Sequence, residues 1–301
     1  MMKIGLVNVD NTLYPNVALM RISSYYKDKG HSVEWALPFE RYDKVFRSKV
    51  FTFTPDIDIP YLCEDVECGG TGYSITKKLP EEIDRYTKLD YSLYPNCQIS
   101  VQFYSRGCIR KCPFCLVSEK EGRIKSVDPF SWNPRAKMID VLDNNFFANP
   151  NWAFAVEHLR ETGLPVKLSG VDVRILTAEQ CQALNSLKLS GLVHIAWDLC
   201  DFDLRPQIDL MTKYVKTWKI ACYVLVGFNT TPDKDLFRLN YLKEKGIVPF
   251  VQPYRDYQNH RKVSQYEKDL ARWANRKELF RSMDFADYEP RKGFKCGSYF
   301  R

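Results

Sequence analysis

Apolar runs separated by polar segments with helical spacing recur along the chain. Near the start, an apolar strand at residues 3–9 precedes a helical pattern at 15–29 and a second strand at 31–37. A further apolar run lies at 44–54. Strands that alternate with a helix indicate a parallel sheet, so residues 1–60 are expected to form a small α/β domain.

The pattern changes at residues 61–97, which are rich in Pro, Gly and acidic side chains and are interpreted as a connector. Beyond this connector, six strand-like runs recur at 99–105, 137–142, 165–171, 192–198, 221–228 and 247–254. Most gaps between them can hold a helix, and Thr177 and Thr231 are plausible helix caps. Six β/α units predict a partial TIM-like barrel over residues 98–254, with the carboxyl ends of the strands at its mouth.

Charge is uneven along the chain, which carries a net charge of +7 over 301 residues. From Tyr254 onward, 12 Lys and Arg stand against 7 Asp and Glu. This excess is compatible with nucleic-acid binding. Opposite charges are interspersed as on an exposed helix, so a solvated basic helical tail at 255–301 is the favoured interpretation.

The sequence carries no run of about 18 apolar residues, and its start lacks the features of a signal peptide. We therefore expect a cytoplasmic protein with no membrane partner. Ten cysteines are present, and three of them fall within eight positions. In a reducing compartment such crowding favours a metal or a cluster over disulfides.

The three crowded cysteines are Cys108, Cys112 and Cys115, spaced CxxxCxxC directly after a predicted strand. Thiolates at this spacing can hold three irons of a [4Fe–4S] cluster and leave the fourth iron without a ligand from the loop. A small molecule with an amine and a carboxylate can chelate that open position. The alternative is a zinc knuckle, for which Cys97 would have to supply the fourth ligand.

An aromatic residue, Phe114, stands directly before the third cysteine. In this respect the segment resembles the radical S-adenosylmethionine (SAM) superfamily. The resemblance implies that SAM binds the open iron and is cleaved reductively to a 5′-deoxyadenosyl radical. It also implies an electron donor such as a flavodoxin or ferredoxin, and a larger substrate, for which nucleic acid and peptide are both candidates.

The resemblance further implies a set of cofactor-binding residues. A variant of the motif for the SAM amino group is Asp143-Asn144-Asn145, for which a helix N-cap is the alternative interpretation. The expected contacts to the ribose and adenine of SAM are Ser169, Asp198, Gly227 and Gln252.

Two residues are candidates for a catalytic role. Arg174 alternates with Asp172 along a predicted strand, where it would either clamp an anionic group or form a structural ion pair. Cys296 lies in the tail, where a mobile exposed thiol would be able to enter an active site. Cys181, Cys200 and Cys222 are expected in the core. Most of the charges after the third cysteine, where Glu119 and Glu121 lie, are expected to be solvated.

The first 60 residues resemble the flavodoxin-like or Rossmann-like domains that bind cobalamin in front of many radical SAM barrels, and also the N-terminal domain of methylthiotransferases. Cobalamin is therefore a candidate cofactor, but its Asp-x-His-x-x-Gly motif is absent, since His31 has no preceding aspartate. The first 62 residues also lack the cysteines of a second cluster. The whole arrangement most resembles uncharacterised radical SAM proteins of phages and bacteria.

A radical SAM enzyme is thus the principal hypothesis. The alternative is a zinc- or cluster-containing protein that binds nucleic acid or senses redox state without cleaving SAM.

Overall fold

The computed structural model describes residues 1–256 and 260–300. The strands are β1 (Lys3–Asn8), β2 (Ser32–Trp35), β3 (Lys44–Ser48), β4 (Val66–Gly69), β5 (Ile99–Gln102), β6 (Ser105–Arg106), β7 (Lys125–Ser126), β8 (Met138–Val141), β9 (Val166–Leu168), β10 (Val193–Ala196), β11 (Ile220–Val226) and β12 (Val248–Pro253). The α-helices are α1 (Val17–Asp28), α2 (Glu81–Asp84), α3 (Val117–Lys120), α4 (Trp152–Glu161), α5 (Ala178–Ser186), α6 (Arg205–Thr212), α7 (Pro232–Glu244), α8 (Gln265–Ala274) and α9 (Lys277–Ser282).

The chain divides into two compact units. Unit 1 comprises residues 1–144 and 149–151, and unit 2 comprises 145–148 and 152–301. Both units combine helices with parallel strands, which confirms the expected α/β class. The partial barrel and the boundaries predicted from sequence, at residues 60, 97 and 254, stay predictions.

The first sheet of unit 1 is parallel, with strand order β2-β1-β3-β4. Ile4 and Leu6 of β1 are buried against Leu19 and Met20 of α1. This helix begins after Asn16, whose side chain accepts a hydrogen bond from the Leu19 amide. The predicted parallel arrangement at the start of the chain is therefore confirmed.

One strand of this sheet, β4, was not expected, because it lies within the segment interpreted as a connector. It pairs in parallel with β3, with Val45 opposite Val66 and Ser48 opposite Gly69. The strand is short and its side chains are exposed or half-buried. Such an edge strand has no buried face and leaves no hydrophobic alternation in the sequence.

Two further strand pairs belong to unit 1. Strands β5 and β8 are parallel, and Val101 lies opposite Asp140. Strands β6 and β7 form a short antiparallel ladder, with Ser105 opposite Ser126 and Arg106 opposite Lys125. This ladder joins the two ends of the segment that contains the three crowded cysteines.

The principal sheet of unit 2 is parallel, with strand order β10-β11-β12. The predicted caps are confirmed: Thr177 forms a capping box with Gln180 at the start of α5, and Thr231 caps α7. Cys181 and Cys222 are buried as expected. Cys200 is only half-buried, so its expected core position is wrong; its Sγ lies 3.0 Å from the Asn229 carbonyl oxygen in a loop after β10.

The region after Tyr254 contains the predicted helices, but it is more than a solvated tail. Trp273 of α8 is fully buried and packs against Phe280 and Phe285. Asp269 is also buried and accepts hydrogen bonds from Arg291 and Tyr299 at 2.7 Å each. These contacts make residues 265–300 part of the packed core of unit 2. Within the described ranges, no helix has the length and apolar character needed to cross a membrane.

Candidate cofactor site

The segment between β6 and β7, residues 107–124, is called here the cysteine loop. Its first residue, Gly107, has a φ of +84°, and a Cβ added there would lie 2.5 Å from the Arg123 carbonyl oxygen. The Cys108 amide donates a hydrogen bond to the Gly122 carbonyl oxygen at 3.3 Å. Only glycine fits this positive φ and this close approach of two backbone segments. The loop is therefore closed at its base.

Cys108, Cys112 and Cys115 are all partly exposed, and none of the three forms a disulfide. The Arg110 amide donates to the Cys108 sulfur at 3.4 Å, and the Cys115 amide donates to the Cys112 carbonyl oxygen at 3.0 Å. Phe114, directly before the third cysteine, is half-buried. The loop thus presents three thiols on one short, turned segment.

Across residues 1–256 and 260–300, no three His, Cys, Asp or Glu side chains are gathered closely enough to hold a metal ion. The chemistry of the donors nevertheless fits an iron–sulfur cluster. Thiolates are the ligands that such clusters take, and an amide directed at a cysteine sulfur is one of the interactions by which a protein tunes a cluster. Cys108, Cys112 and Cys115 are the residues that would hold it.

Glu121 directly follows α3 and is heavily hydrogen-bonded at the base of the loop. Its Oε2 accepts from Arg106 Nε at 3.1 Å and from the Gly107 amide at 2.9 Å, and its Oε1 accepts from Arg106 Nη2 at 2.7 Å. Asn144 Nδ2 donates to the same Oε2 at 2.8 Å. The Glu121 side chain is only 12% exposed, so the expectation of a solvated charge is wrong at this position.

Asp143 is the first residue of the predicted SAM-amine motif and is buried. Its Oδ1 accepts from the Tyr104 amide at 2.9 Å, and its Oδ2 accepts from Ser105 Oγ at 2.5 Å. Burial raises the pKa of this carboxyl to about 6, against the opposing effect of these two donors. Asp143 is therefore hydrogen-bonded to the start of β6 and to the residue before it, which lead into the cysteine loop.

The other two motif residues point to different partners. Asn144 is exposed and bonds Glu121, whereas Asn145 is buried and its Nδ2 donates to Asp172 Oδ2 at 3.3 Å. The short helix that follows begins at Phe146. Of the three motif residues, Asn144 is the one whose side chain is open to solvent.

Asp172 and Arg174 do not alternate along a strand, so this part of the prediction is wrong. Strand β9 ends at Leu168, and residues 173–175 form a 3₁₀ helix that Asp172 caps. The guanidinium of Arg174 donates to both carboxylate oxygens of Asp172, at 2.6 and 3.0 Å. Arg174 and Asp172 therefore form an ion pair, which was the alternative interpretation of these residues.

Asp198 follows β10 and is half-buried, and burial raises its pKa. The positive charges of Arg174 and Arg238 act in the opposite direction and lower this pKa. Ser169, directly after β9, is exposed. Of these two predicted contacts, Ser169 therefore faces solvent, whereas Asp198 is half-buried.

The last two cofactor-binding predictions lie on the neighbouring strands. Gly227 follows β11 with a φ of +80°, and a Cβ there would lie 2.5 Å from Arg261 Nη2 and 2.6 Å from Glu267 Oε1. Gln252 is exposed on β12 and lies opposite Leu225. Both residues occupy the carboxyl half of the sheet, where ligands bind in parallel α/β proteins.

Cys296 is completely buried, so the expectation of a mobile exposed thiol is wrong. Its amide donates to the Tyr288 carbonyl oxygen at 2.9 Å, and burial raises the pKa of the thiol to about 11. A buried, protonated thiol is a poor nucleophile. The structure gives Cys296 a packing role.

Comparison with known proteins adds no family assignment: no protein-family model and no curated protein matches the chain. The case for its chemistry therefore rests on its own residues. The sequence motifs assign no role to Ser105 or Arg106 and predict only a solvated charge at Glu121, yet these three residues shape the base of the cysteine loop. The available signal was the pair of opposite charges, Arg106 and Glu121, on either side of the three cysteines.

Proposed function

We propose that the chain is a radical SAM enzyme whose [4Fe–4S] cluster is held by Cys108, Cys112 and Cys115. The observation that carries this proposal is the cysteine loop itself. Three partly exposed thiols at CxxxCxxC spacing lie in a segment that a strand ladder and Gly107 close at its base. A loop whose ends are already joined loses less chain entropy when its thiols gather around a cluster.

When bound, the cluster and SAM supply a one-electron reductive cleavage that gives a carbon-centred radical. The protein contributes binding and positioning. The cysteine thiolates bind iron, and the exposed amide of Asn144 is available to the amino or carboxylate group of SAM. Asp143 fixes the strand before the loop through the Tyr104 amide and the Ser105 hydroxyl.

In unit 2, Ser169, Asp198, Gly227 and Gln252 remain our predicted contacts for the ribose and adenine of SAM. The Arg174 guanidinium is ion-paired with Asp172, so we assign Arg174 the role of fixing the segment after β9. The buried pair between Arg238 and Asp235 serves a similar purpose. Arg238 also donates to the Trp197 and Leu225 carbonyl oxygens, at 2.6 and 3.0 Å, which fastens the ends of β10 and β11.

For the substrate we propose nucleic acid. Many Lys and Arg side chains of the C-terminal region are exposed, including Lys268, Arg272 and Arg276 on and after α8. Exposed basic side chains bind phosphate groups irrespective of sequence. A flavodoxin or ferredoxin is the expected electron donor, and cobalamin is not part of the proposal because the chain lacks its ligand motif.

The proposal is tested on protein purified without oxygen. Iron and sulfide content are measured first, followed by 5′-deoxyadenosine formation from SAM after reduction with dithionite. We expect about four irons per chain and clear product formation. Cys112→Ala should lose both, because a three-thiolate site cannot lose a ligand and keep the cluster.

Cys200→Ala is the matched control, since Cys200 is also a partly exposed cysteine but lies outside the loop. It should retain the iron content and SAM cleavage of the wild type. Undiminished cleavage by Cys112→Ala contradicts the proposal. Stoichiometric zinc in place of iron in the wild type supports the nucleic-acid-binding alternative.

A further inference from the structure

We infer that Glu121 is a positioning residue that couples the cysteine loop to Asn144. This inference rests on the proposed function, and it adds a residue to which the sequence motif assigns no role. Glu121 lies outside the CxxxCxxC segment and outside Asp143-Asn144-Asn145. Its carboxylate nevertheless accepts hydrogen bonds both from the start of the cysteine loop, at Arg106 and Gly107, and from Asn144 of the predicted SAM-amine motif.

The two Glu121 oxygens accept four hydrogen bonds. Three come from the start of the loop, from Arg106 Nε, Arg106 Nη2 and the Gly107 amide, at 2.7–3.1 Å. The fourth comes from Asn144 Nδ2 at 2.8 Å. Three of these donors share Oε2 and one donates to Oε1, so both oxygens of the carboxylate are engaged at the loop base.

The donors to Glu121 are themselves held in place. The Arg106 guanidinium lies over the Phe103 ring at 4.3 Å from its centroid. Gly107 is confined by its positive φ and by the backbone of Arg123. Glu121 therefore links Arg106 and Gly107, which are both held by their surroundings, to the exposed side chain of Asn144.

This arrangement has a chemical consequence. Because Asn144 shares an oxygen of Glu121 with the Gly107 amide, a change in the position of the loop base changes the position of the Asn144 amide. Binding of the cluster by the cysteines and binding of SAM by Asn144 should therefore support each other. In thermodynamic terms, the two sites share a coupling free energy.

The first arm of the test does not need the cluster. Backbone hydrogen exchange is measured for the metal-free wild type and for Glu121→Ala, Glu121→Gln and Glu119→Gln. Loss of the carboxylate should speed exchange at Gly107 and Cys108 by about tenfold, because hydrogen bonds to charged groups are the strong ones. Glu119→Gln is the matched control, since Glu119 is an exposed acid in the same loop, and it should leave exchange unchanged.

The second arm uses the loaded protein. SAM is titrated into reduced samples, and its effect on the electron paramagnetic resonance spectrum of the cluster is recorded. Glu121→Gln should keep the iron content of the wild type but need about tenfold more SAM for the same spectral change. Its KM for SAM should rise more than its kcat falls. A purely structural role would lower the iron content in parallel with activity.

The outcomes separate the two proposals. A wild type without iron and without SAM cleavage overturns the proposed function and with it the coupling. A wild type that cleaves SAM, together with a Glu121→Gln variant that has the same SAM titration, overturns the coupling alone. Unchanged hydrogen exchange in Glu121→Ala overturns the role of Glu121 at the loop base, whatever the protein binds.

Discussion

Each unit contains an Arg–carboxylate pair that holds the end of a strand, and the two pairs differ in burial. In unit 1, Arg106 and Glu121 are 31% and 12% exposed. In unit 2, Arg238 and Asp235 are 1% and 2% exposed. The first pair fixes a loop that faces solvent, whereas the second fastens the carboxyl ends of β10 and β11.

The difference in burial shows what each pair can do. A buried pair is costly to break, because one charge is left without its partner in a medium that solvates it poorly. Burial raises the pKa of Asp235 even beside Arg238. A partly exposed pair contributes less to stability, so its value lies in the geometry of the groups that it joins. We therefore expect the pair of unit 2 to determine stability and the pair of unit 1 to determine the shape of the site.

Arg238→Ala should have the largest effect. It leaves Asp235 buried without its partner and frees the Trp197 and Leu225 carbonyl oxygens, so the free energy of unfolding should fall by about 3–5 kcal/mol. Denaturant unfolding measures this change. The control is Arg160→Ala, which removes an exposed pair with Glu157 and should cost less than about 0.5 kcal/mol. Equal effects of the two substitutions would contradict the comparison.

Gly107→Ala should have the next largest effect. A methyl group there meets the Arg123 backbone and must also adopt a φ of +84°, so we expect a loss of about 2–4 kcal/mol in the local stability of the cysteine loop. Hydrogen exchange of the loop amides measures this loss. Gly122→Ala is matched in conformation, with a φ of +78°, but has open space around its Cβ. It should cost only about 1–2 kcal/mol, the ordinary penalty of the left-handed conformation.

Asp143 should give the smallest effect, seen as a pH dependence. Its pKa is about 6 in the folded chain, above the ordinary value of 3.8, so the folded state binds the proton more tightly. The stabilising contribution is complete below pH 3.8 and is lost as the pH rises through 6. Between these values the free energy of unfolding should fall by about 2 kcal/mol, and Asp143→Asn should flatten this slope. An unchanged slope in the variant would assign the pH dependence to other groups.

Much of the fold was predictable from the sequence. Apolar runs predicted β1, β11 and β12, and the caps Thr177 and Thr231 are confirmed, because an apolar run and a helix cap are both set by residues adjacent in sequence. Strand β4 was missed since an edge strand with exposed side chains leaves no periodic pattern. Asp172 and Arg174 were placed on a strand that ends earlier, at Leu168.

The candidate site was less predictable than the fold. The cysteine spacing identifies the loop, and the Asp143-Asn144-Asn145 segment identifies a polar turn, but neither shows which side chains bond. Glu121 was expected to be solvated and Cys296 to be exposed, and both expectations are wrong. Their environments depend on residues distant in sequence, such as Asn144 for Glu121 and Tyr288 for the Cys296 segment. Such tertiary contacts leave no mark on local composition.

The ladder between β6 and β7 also bears on how the loop tolerates change in length. Because Ser105 is paired with Ser126 and Arg106 with Lys125, the ends of the cysteine loop meet regardless of what lies between them. The entropy of closing a loop grows only with the logarithm of its length, so a doubling costs about 0.6 kcal/mol. Changes in loop length that leave the two rungs of the ladder and the contact between Gly107 and the Arg123 backbone in place should therefore be tolerated thermodynamically.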